Sequence, residues 1–194
     1  MNMKQEGSVL NKTDIEAILN GEFVPKGEIS EHILIHKLAE LLSYCDQLLD
    51  LQEEFDKGTL FKLFRFLAEE EGQYRKTTPV LVHLGYSPVL PQEIDESLDI
   101  LFRQISAAEN KDSVEKAVML HDGIMRIYPF RQWNEIIGRT ALEYALLYYG
   151  EDFCPVTLSE QEYNRAITEA VRTGENKSLI SNMRMNLLMR NSMD

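Results

Sequence analysis

The chain has 194 residues, of which 44% are hydrophobic and 27% are charged, and its formal net charge at pH 7 is −12. This length allows one domain with a substantial core. An acidic chain repels nucleic-acid phosphates and anionic lipid surfaces, so we expect neither a nucleic-acid nor a membrane partner. No apolar run approaches the roughly 18 residues of a membrane span, and the first residues lack a signal-peptide stretch. Cys45 and Cys154 lie far apart and fit a reducing compartment, so we expect a cytoplasmic protein.

Apolar residues recur at three- and four-residue spacing along most of the chain, which predicts helices. The first helix is short, with Thr13 as its N-terminal cap and Gly21 at its end. Seven further helices are predicted over about 30–50, 59–71, 92–107, 112–127, 136–149, 159–174 and 178–189. Pro129 ends the helix 112–127, because the residue before a proline is pushed out of helical geometry.

Residues 77–91 do not follow the helical pattern. This segment contains strand-forming residues and then turn residues, namely Val80, Leu81, Val82, Leu84, Gly85 and Pro88. A short β-hairpin is the structure that such a segment favours. No repeat or linker interrupts the chain, so the sequence predicts one all-α domain over residues 1–194 with one small hairpin.

The stretch 117–150 predicts a helix, a loop and a second helix, and it carries the most informative pattern. Aligned without gaps, it matches eight positions of the pattern A-x-x-x-H-x-x-x-x-x-I-H-P-F followed by x-D/E-G-N-G-R-x-G-R. This pattern is the signature of the Fic (Fido) family, which the chain therefore resembles. The matching residues are Ala117, His121, Ile127, Pro129, Phe130, Asn134, Gly138 and Arg139. We expect His121 to belong to the core.

Other segments resemble the same family in the same order. Gly72–Arg75 is similar to the family's G-x-Y/F-R, 80–91 to its flap, and Tyr163–Gly174 to its closing helices. The resemblance implies an all-α Fic fold of about eight helices with a β-hairpin flap at 77–91. It also implies a target protein or peptide that docks on the flap as an added strand, and a possible homodimer. The implied docking residues are Val80, Leu81, Val82, His83 and Leu84.

The family's activity is transfer of AMP from ATP to a protein. The resemblance implies a role for each part of the loop. Glycines and the following helix N-terminus cradle the phosphates, and an acidic residue holds Mg²⁺. Two arginines clamp the negative charge, and a histidine deprotonates the target hydroxyl.

This chain departs from the family loop at most of these positions. Tyr128 replaces the catalytic histidine, and a phenol with an ordinary pKa near 10 is a poor base at neutral pH. Gln132 replaces the acidic metal ligand, so we expect no metal site. Trp133 and Glu135 replace the two glycines, and Ile136 replaces the first arginine. Loss of a general base alone typically slows a reaction by about 10²–10⁴-fold.

Asn134, Gly138 and Arg139 remain at the positions that contact the nucleotide phosphates in the family. Near the N-terminus, Glu6 resembles the glutamate of the family's inhibitory helix, within a possible inhibitory segment 1–21, and is expected to pair with Arg139. ATP and Mg²⁺ are expected to bind only if the pocket stays open, which requires that Trp133 and Glu135 do not fill the space beneath the flap.

Three functions remain open at this point. The favoured one is a Fic-like protein that cannot carry out ordinary AMP transfer and acts as a regulator through binding. The first alternative is an active transferase that uses altered residues, with another phosphate-containing donor or with Tyr128 as nucleophile. The second is a structural or oligomerisation module that kept the fold and lost the site.

Overall fold

The computed structural model describes residues 10–68 and 72–191. These residues form eight α-helices and no strand, and a short 3₁₀ turn over Pro91–Glu93 precedes the fourth helix. The helices are α1 Lys12–Leu19, α2 Ile29–Asp50, α3 Lys57–Leu67, α4 Ile94–Ser106, α5 Ser113–Ile127, α6 Asn134–Tyr148, α7 Glu160–Thr173 and α8 Lys177–Asn191. The predicted all-α architecture is therefore confirmed.

Side-chain caps explain where several helices begin. Asp112 and Ser159 accept hydrogen bonds from the backbone of α5 and α7, as the sequence predicts. The predicted cap of α1 at Thr13 is wrong. Asn11 caps this helix instead, because its side chain accepts from the Asp14 N–H while the Asp14 carboxylate accepts from the Asn11 N–H.

The third helix ends earlier than predicted. It stops at Leu67, and Ala68 is already extended with φ −98° and ψ 131°, whereas the sequence predicts a helix to Glu71. A run of three glutamates follows in the sequence. Negative charges at a helix C-terminus are unfavourable, because they lie against the negative end of the helix dipole.

The helix α5 lies at the centre of the fold and packs against α4, α6, α7 and α8. Two glycines allow this close packing. A Cβ added at Gly138 of α6 would lie 3.2 Å from the Met125 sulfur, and one added at Gly123 would overlap Leu101 of α4. The antiparallel pair α5 and α6 therefore forms a close-packed hairpin, and the loop 128–133 joins its two helices.

The predicted β-hairpin is not found among the described residues. Within 77–91 there is one isolated antiparallel bridge, between Leu81 and Tyr86. The Leu84 and Gly85 N–H groups bond back to the Leu81 carbonyl at 3.0 and 2.8 Å, so the chain turns directly after the bridge. Pro79 and Pro88 flank it and lack the N–H groups that a longer ladder needs. We call residues 77–91 the flap segment.

Within the described ranges, no helix is long and apolar enough to cross a membrane.

Replacing Gly123 with alanine tests the packing of α4 on α5. The new Cβ would lie 2.3 Å from Leu101 Cδ1, and Leu101 is only 2% exposed. Overpacking should lower the free energy of unfolding by about 1–3 kcal/mol, despite the better helix propensity of alanine. Urea unfolding measures this loss. Combined with Leu101→Ala, the loss should be smaller than the sum of the two single losses, and additive losses would contradict the contact.

Candidate active-site loop

Arg75 connects the loop to the flap segment. Its side chain is 5% exposed and donates to the carbonyls of Tyr128 at 2.8 Å and Ile127 at 3.1 Å. The same guanidinium donates to the carbonyls of Thr77 and Val89 near the two ends of the flap segment. A cation suits the C-terminus of α5, where the last carbonyls have no partner within the helix.

Tyr128 ends α5 in a left-handed conformation, with φ 49° and ψ 60°. The prediction that the helix ends before Pro129 is confirmed, although the backbone turns left-handed rather than extended. The Tyr128 ring packs against the buried cluster that contains Leu81 and Leu84, so it lies beneath the flap segment. Burial, and then the nearby Glu135 carboxylate, raise the pKa of the Tyr128 phenol above its ordinary value. At neutral pH this phenol is therefore protonated and a poor base.

Phe130 and Asn134 fix the shape of the loop. The Phe130 ring is fully buried and stacks on Phe64, with ring centroids 4.2 Å apart, and meets Phe61 edge to face. The buried Asn134 amide accepts from the Phe130 N–H at 2.9 Å and donates to the Phe130 carbonyl at 2.8 Å. Both polar ends of the Asn134 side chain thus hold the loop backbone.

Trp133 has a backbone conformation that favours glycine, with φ 70°. A side chain in this left-handed region costs about 1–2 kcal/mol. The indole packs against the main core, and its buried N–H has no hydrogen-bond partner among the described residues. The loop thus has positive φ at the residue where the family pattern has glycine.

Glu135 connects the start of α6 to the flap segment. Its carboxylate lies in the first turn of the helix and is 3.0 Å from the Nε2 atom of His83. The N-terminus of a helix attracts negative charge and commonly binds phosphate. In this chain a carboxylate of the protein itself lies in that first turn, and its partner is a flap residue.

Arg139 lies one turn further along α6. Its guanidinium carbon is 4.1 Å from the centre of the Tyr163 ring, and its buried Nε makes no hydrogen bond within 10–68 and 72–191. Tyr163 in turn is 2.6 Å from the Nε2 of His121, whose Nδ1 is 2.8 Å from Asp122. His121 is fully buried, as predicted. Its hydrogen-bond network, to which Asn176 also donates, carries no signal in the sequence.

The structure divides the predicted flap residues into two groups. Leu81 and Leu84 are buried against α5 and α7, and the Leu84 carbonyl accepts from the Thr168 hydroxyl. Val80 and Val82 are 76% and 82% exposed. Of the predicted docking residues, Val80, Val82 and His83 are therefore exposed, whereas the two leucines anchor the segment.

The remaining predicted site residues are placed as follows. Gln132 is exposed, and no cluster of three or more potential metal ligands (His, Cys, Asp or Glu) occurs in the described part of the chain. Glu6 lies outside the described residues, so its expected contact with Arg139 stays a prediction.

Comparison with family models gives a match to the Fic/DOC family over residues 45–146. Comparison with curated protein sequences gives no significant match.

Solved structures with a similar fold include a 134–508 fragment of Fic-1 from C. elegans, with a TM-score of 0.82 and 19% identity. That alignment covers 97% of this chain and 58% of the Fic-1 chain. A Fic domain containing signaling protein from Bacteroides thetaiotaomicron has a TM-score of 0.75 and 17% identity, and the alignment covers 96% of this chain and 77% of that protein's chain. BepC from Bartonella tribocorum, solved with bound AMPPNP, has a TM-score of 0.51 and 17% identity, and the alignment covers 76% of this chain and 86% of the BepC chain. At these identities the matches support the fold alone.

Replacing Arg75 with lysine tests the link between loop and flap segment. One ammonium group cannot reach four carbonyls that the guanidinium reaches with three nitrogens, so buried acceptors lose their donors. The free energy of unfolding should fall by about 2–4 kcal/mol, measured by urea denaturation. Arg103→Lys is the matched control, because Arg103 is exposed on α4 and should change stability by less than about 0.5 kcal/mol. Equal effects would contradict the role of Arg75.

Glu143, one turn after Arg139, predicts a pH dependence of stability. Burial raises its pKa above the ordinary value of 4.5, and Arg139 opposes this only in part. Between the ordinary and the raised pKa the folded protein binds more protons than the unfolded one, so stability falls as pH rises through that window. Glu143→Gln should remove this fall and be more stable than the parent at pH 7. Chemical unfolding at a series of pH values measures the pH dependence and the stability at pH 7. If Glu143→Gln leaves the pH profile of stability unchanged, the role assigned to Glu143 is wrong.

Proposed function

The chain belongs to the Fic/DOC family, and we propose that it does not transfer AMP from ATP but acts by binding a protein partner. The observation that carries this proposal is the pairing of Glu135 with His83 at 3.0 Å. It supports a closed loop in which a carboxylate lies near where nucleotide phosphates would approach, with its partner on the flap segment above. The negative charge of the Glu135 carboxylate would repel a triphosphate.

The residues of the loop do not fit ATP with Mg²⁺. Metal binding needs an acidic oxygen ligand, and the corresponding residue is the exposed Gln132. Proton removal from a target hydroxyl needs a base near neutral pH, and the pKa of Tyr128 is raised. Positioning of phosphates by cationic groups would depend on Arg139, whose guanidinium stacks on Tyr163. Each of the three requirements for phosphate transfer is weakened by a different residue.

Partner binding is supported by the exposed side of the flap segment. Val80 and Val82 are two residues apart, as on one face of an extended strand, and both are largely exposed. An extended peptide that pairs with this segment would satisfy backbone groups and cover both valines. In this function the segment is a docking edge, held in place from below by Leu81 and Leu84.

Calorimetric titration with Mg²⁺ and ATP, together with a labelled-ATP transfer assay, tests the catalytic part. The parent protein should give neither binding heat nor label transfer. A variant that restores the family loop should gain nucleotide binding while staying folded. Its substitutions are Tyr128→His, Gln132→Asp, Trp133→Gly, Glu135→Gly and Ile136→Arg. Transfer by the parent protein that disappears in Tyr128→Phe would overturn the proposal and support a transferase with altered residues.

A photo-crosslinking residue placed at position 82 tests the docking part in cells. The control carries the same residue at position 161, which is exposed on α7. A partner that is crosslinked from position 82, absent from position 161 and lost in Val80→Asp supports docking on the flap segment. Equal capture from both positions contradicts it.

A further inference from the structure

A cavity lies at the other end of the α5–α6 hairpin, where its lining residue Lys116 is about 18 Å from Tyr128 along α5 at 1.5 Å per residue. Its volume is about 100 Å³. Five aromatic residues line it, from the link between α2 and α3, from α4 and from the end of α6. They are Phe55, Phe102, Tyr144, Tyr148 and Tyr149. We call this cavity the aromatic cage.

Two ring pairs of the cage are nearly parallel, with interplanar angles of 26° and 11°, and two pairs meet edge to face. The five rings therefore form walls rather than one stack. Tyr148 and Tyr149 are nearly perpendicular, with an interplanar angle of 72° and centroids 5.3 Å apart. Phe55 meets Tyr144 at 63° and 5.5 Å. Burial raises the pKa of Tyr144 to about 12, so this phenol stays neutral at physiological pH. Neutral ring faces carry negative electrostatic potential and attract cations.

A cation of the protein itself already lies against one wall. The Lys116 ammonium is 5.3 Å from the centre of the Tyr149 ring, within the range of a cation–π interaction. This contact is direct evidence that the ring is accessible to positive charge. Lys116 is only half-buried, so its long side chain can leave towards solvent.

The surrounding charges also favour a cation. Among the described residues that line the cavity, Glu54 and Asp56 are acidic and Lys116 alone is basic. The C-terminal turns of α4 and α6 bring the negative ends of two helix dipoles to the wall, against one positive end at the N-terminus of α3, which Asp56 caps. A net charge of −12 for the whole chain adds a field of the same sign.

From this combination we propose that the aromatic cage binds a methylated ammonium group, with the Lys116 side chain as the internal competitor that it displaces. The proposed ligand is small because the cavity volume is only about 100 Å³. That space suits one compact ammonium head group. The proposal does not depend on whether the Fic loop is active, because the two sites share no lining residue.

Tetramethylammonium chloride is the first probe, titrated into the full chain and followed by NMR shifts of the tyrosine rings. We expect saturable shifts with a Kd on the order of 1 mM, because few contacts are made. Tert-butanol, a neutral molecule of similar size, should bind at least about fivefold more weakly. Equal affinity for the two molecules would overturn the proposal, because it would leave only apolar contact.

Two variants move the affinity in opposite directions. Lys116→Met removes the competing ammonium and should tighten tetramethylammonium binding about two- to fivefold, and Tyr149→Leu should weaken it by at least as much. Phe23→Leu is the control, because Phe23 is an exposed aromatic residue outside the cage. If Lys116→Met stays folded and its affinity for tetramethylammonium is unchanged, the proposed displacement of the Lys116 side chain by the ligand is wrong.

The methylated ammonium can come from a free small molecule or from a trimethylated lysine in a peptide. A peptide that carries trimethyllysine, compared with the same peptide carrying unmodified lysine, distinguishes the sources. Stronger binding of the methylated peptide than of tetramethylammonium indicates a peptide ligand. Binding of tetramethylammonium alone indicates a free ligand, and binding of neither overturns the proposal.

Discussion

The buried guanidinium of Arg75 is the interaction on which the loop and the flap segment both depend. It donates to Ile127 and Tyr128 at the end of α5 and to Thr77 and Val89 near the ends of the flap segment. Helix ends and short irregular segments both leave carbonyls without partners, and a buried carbonyl without a donor is costly. One cation meets both needs, so the loop and the flap segment are positioned as one unit. The contacts of Tyr128 beneath the segment follow from this arrangement.

In the proposed function the loop backbone has a defined shape although its side chains do not suit phosphate chemistry. Tyr128 and Trp133 both have positive φ, which costs about 1–2 kcal/mol for each residue. The stacking of Phe130 on Phe64 and the two hydrogen bonds of Asn134 offset this cost. Shape is thus maintained by buried packing, which does not depend on the nucleotide. In the proposed function the chemistry depends instead on a few side chains, such as those of Gln132 and Glu135, and these can change without unfolding the loop.

Local patterns predicted most of the fold, and long-range contacts account for what they missed. Apolar periodicity and the caps at Asp112 and Ser159 are local, and they predicted the eight helices, although the start of α1 and the end of α3 were misplaced. The strand propensity of 80–84 predicted a hairpin that is not found among residues 10–68 and 72–191, because hydrogen bonds back to Leu81 turn the chain at once. The family pattern marked Arg75 but not its carbonyl partners, and His83 meets Glu135 across 52 residues of sequence. The aromatic cage likewise joins distant segments, for which one sequence carries no pairing signal.

Trp133 offers the most direct test of the closed loop, because it is the only tryptophan in the chain and lies in that loop. Its fluorescence should be measured while Mg²⁺ and ATP are added to the parent protein and to a variant that restores the family loop but keeps Trp133, with Tyr128→His, Gln132→Asp, Glu135→Gly and Ile136→Arg. For the parent protein the emission should not change up to millimolar nucleotide, whereas the variant should show a saturable change. A saturable change in the parent protein at micromolar ATP would contradict the account. It would show that a nucleotide binds beside the loop despite the contact between Glu135 and His83.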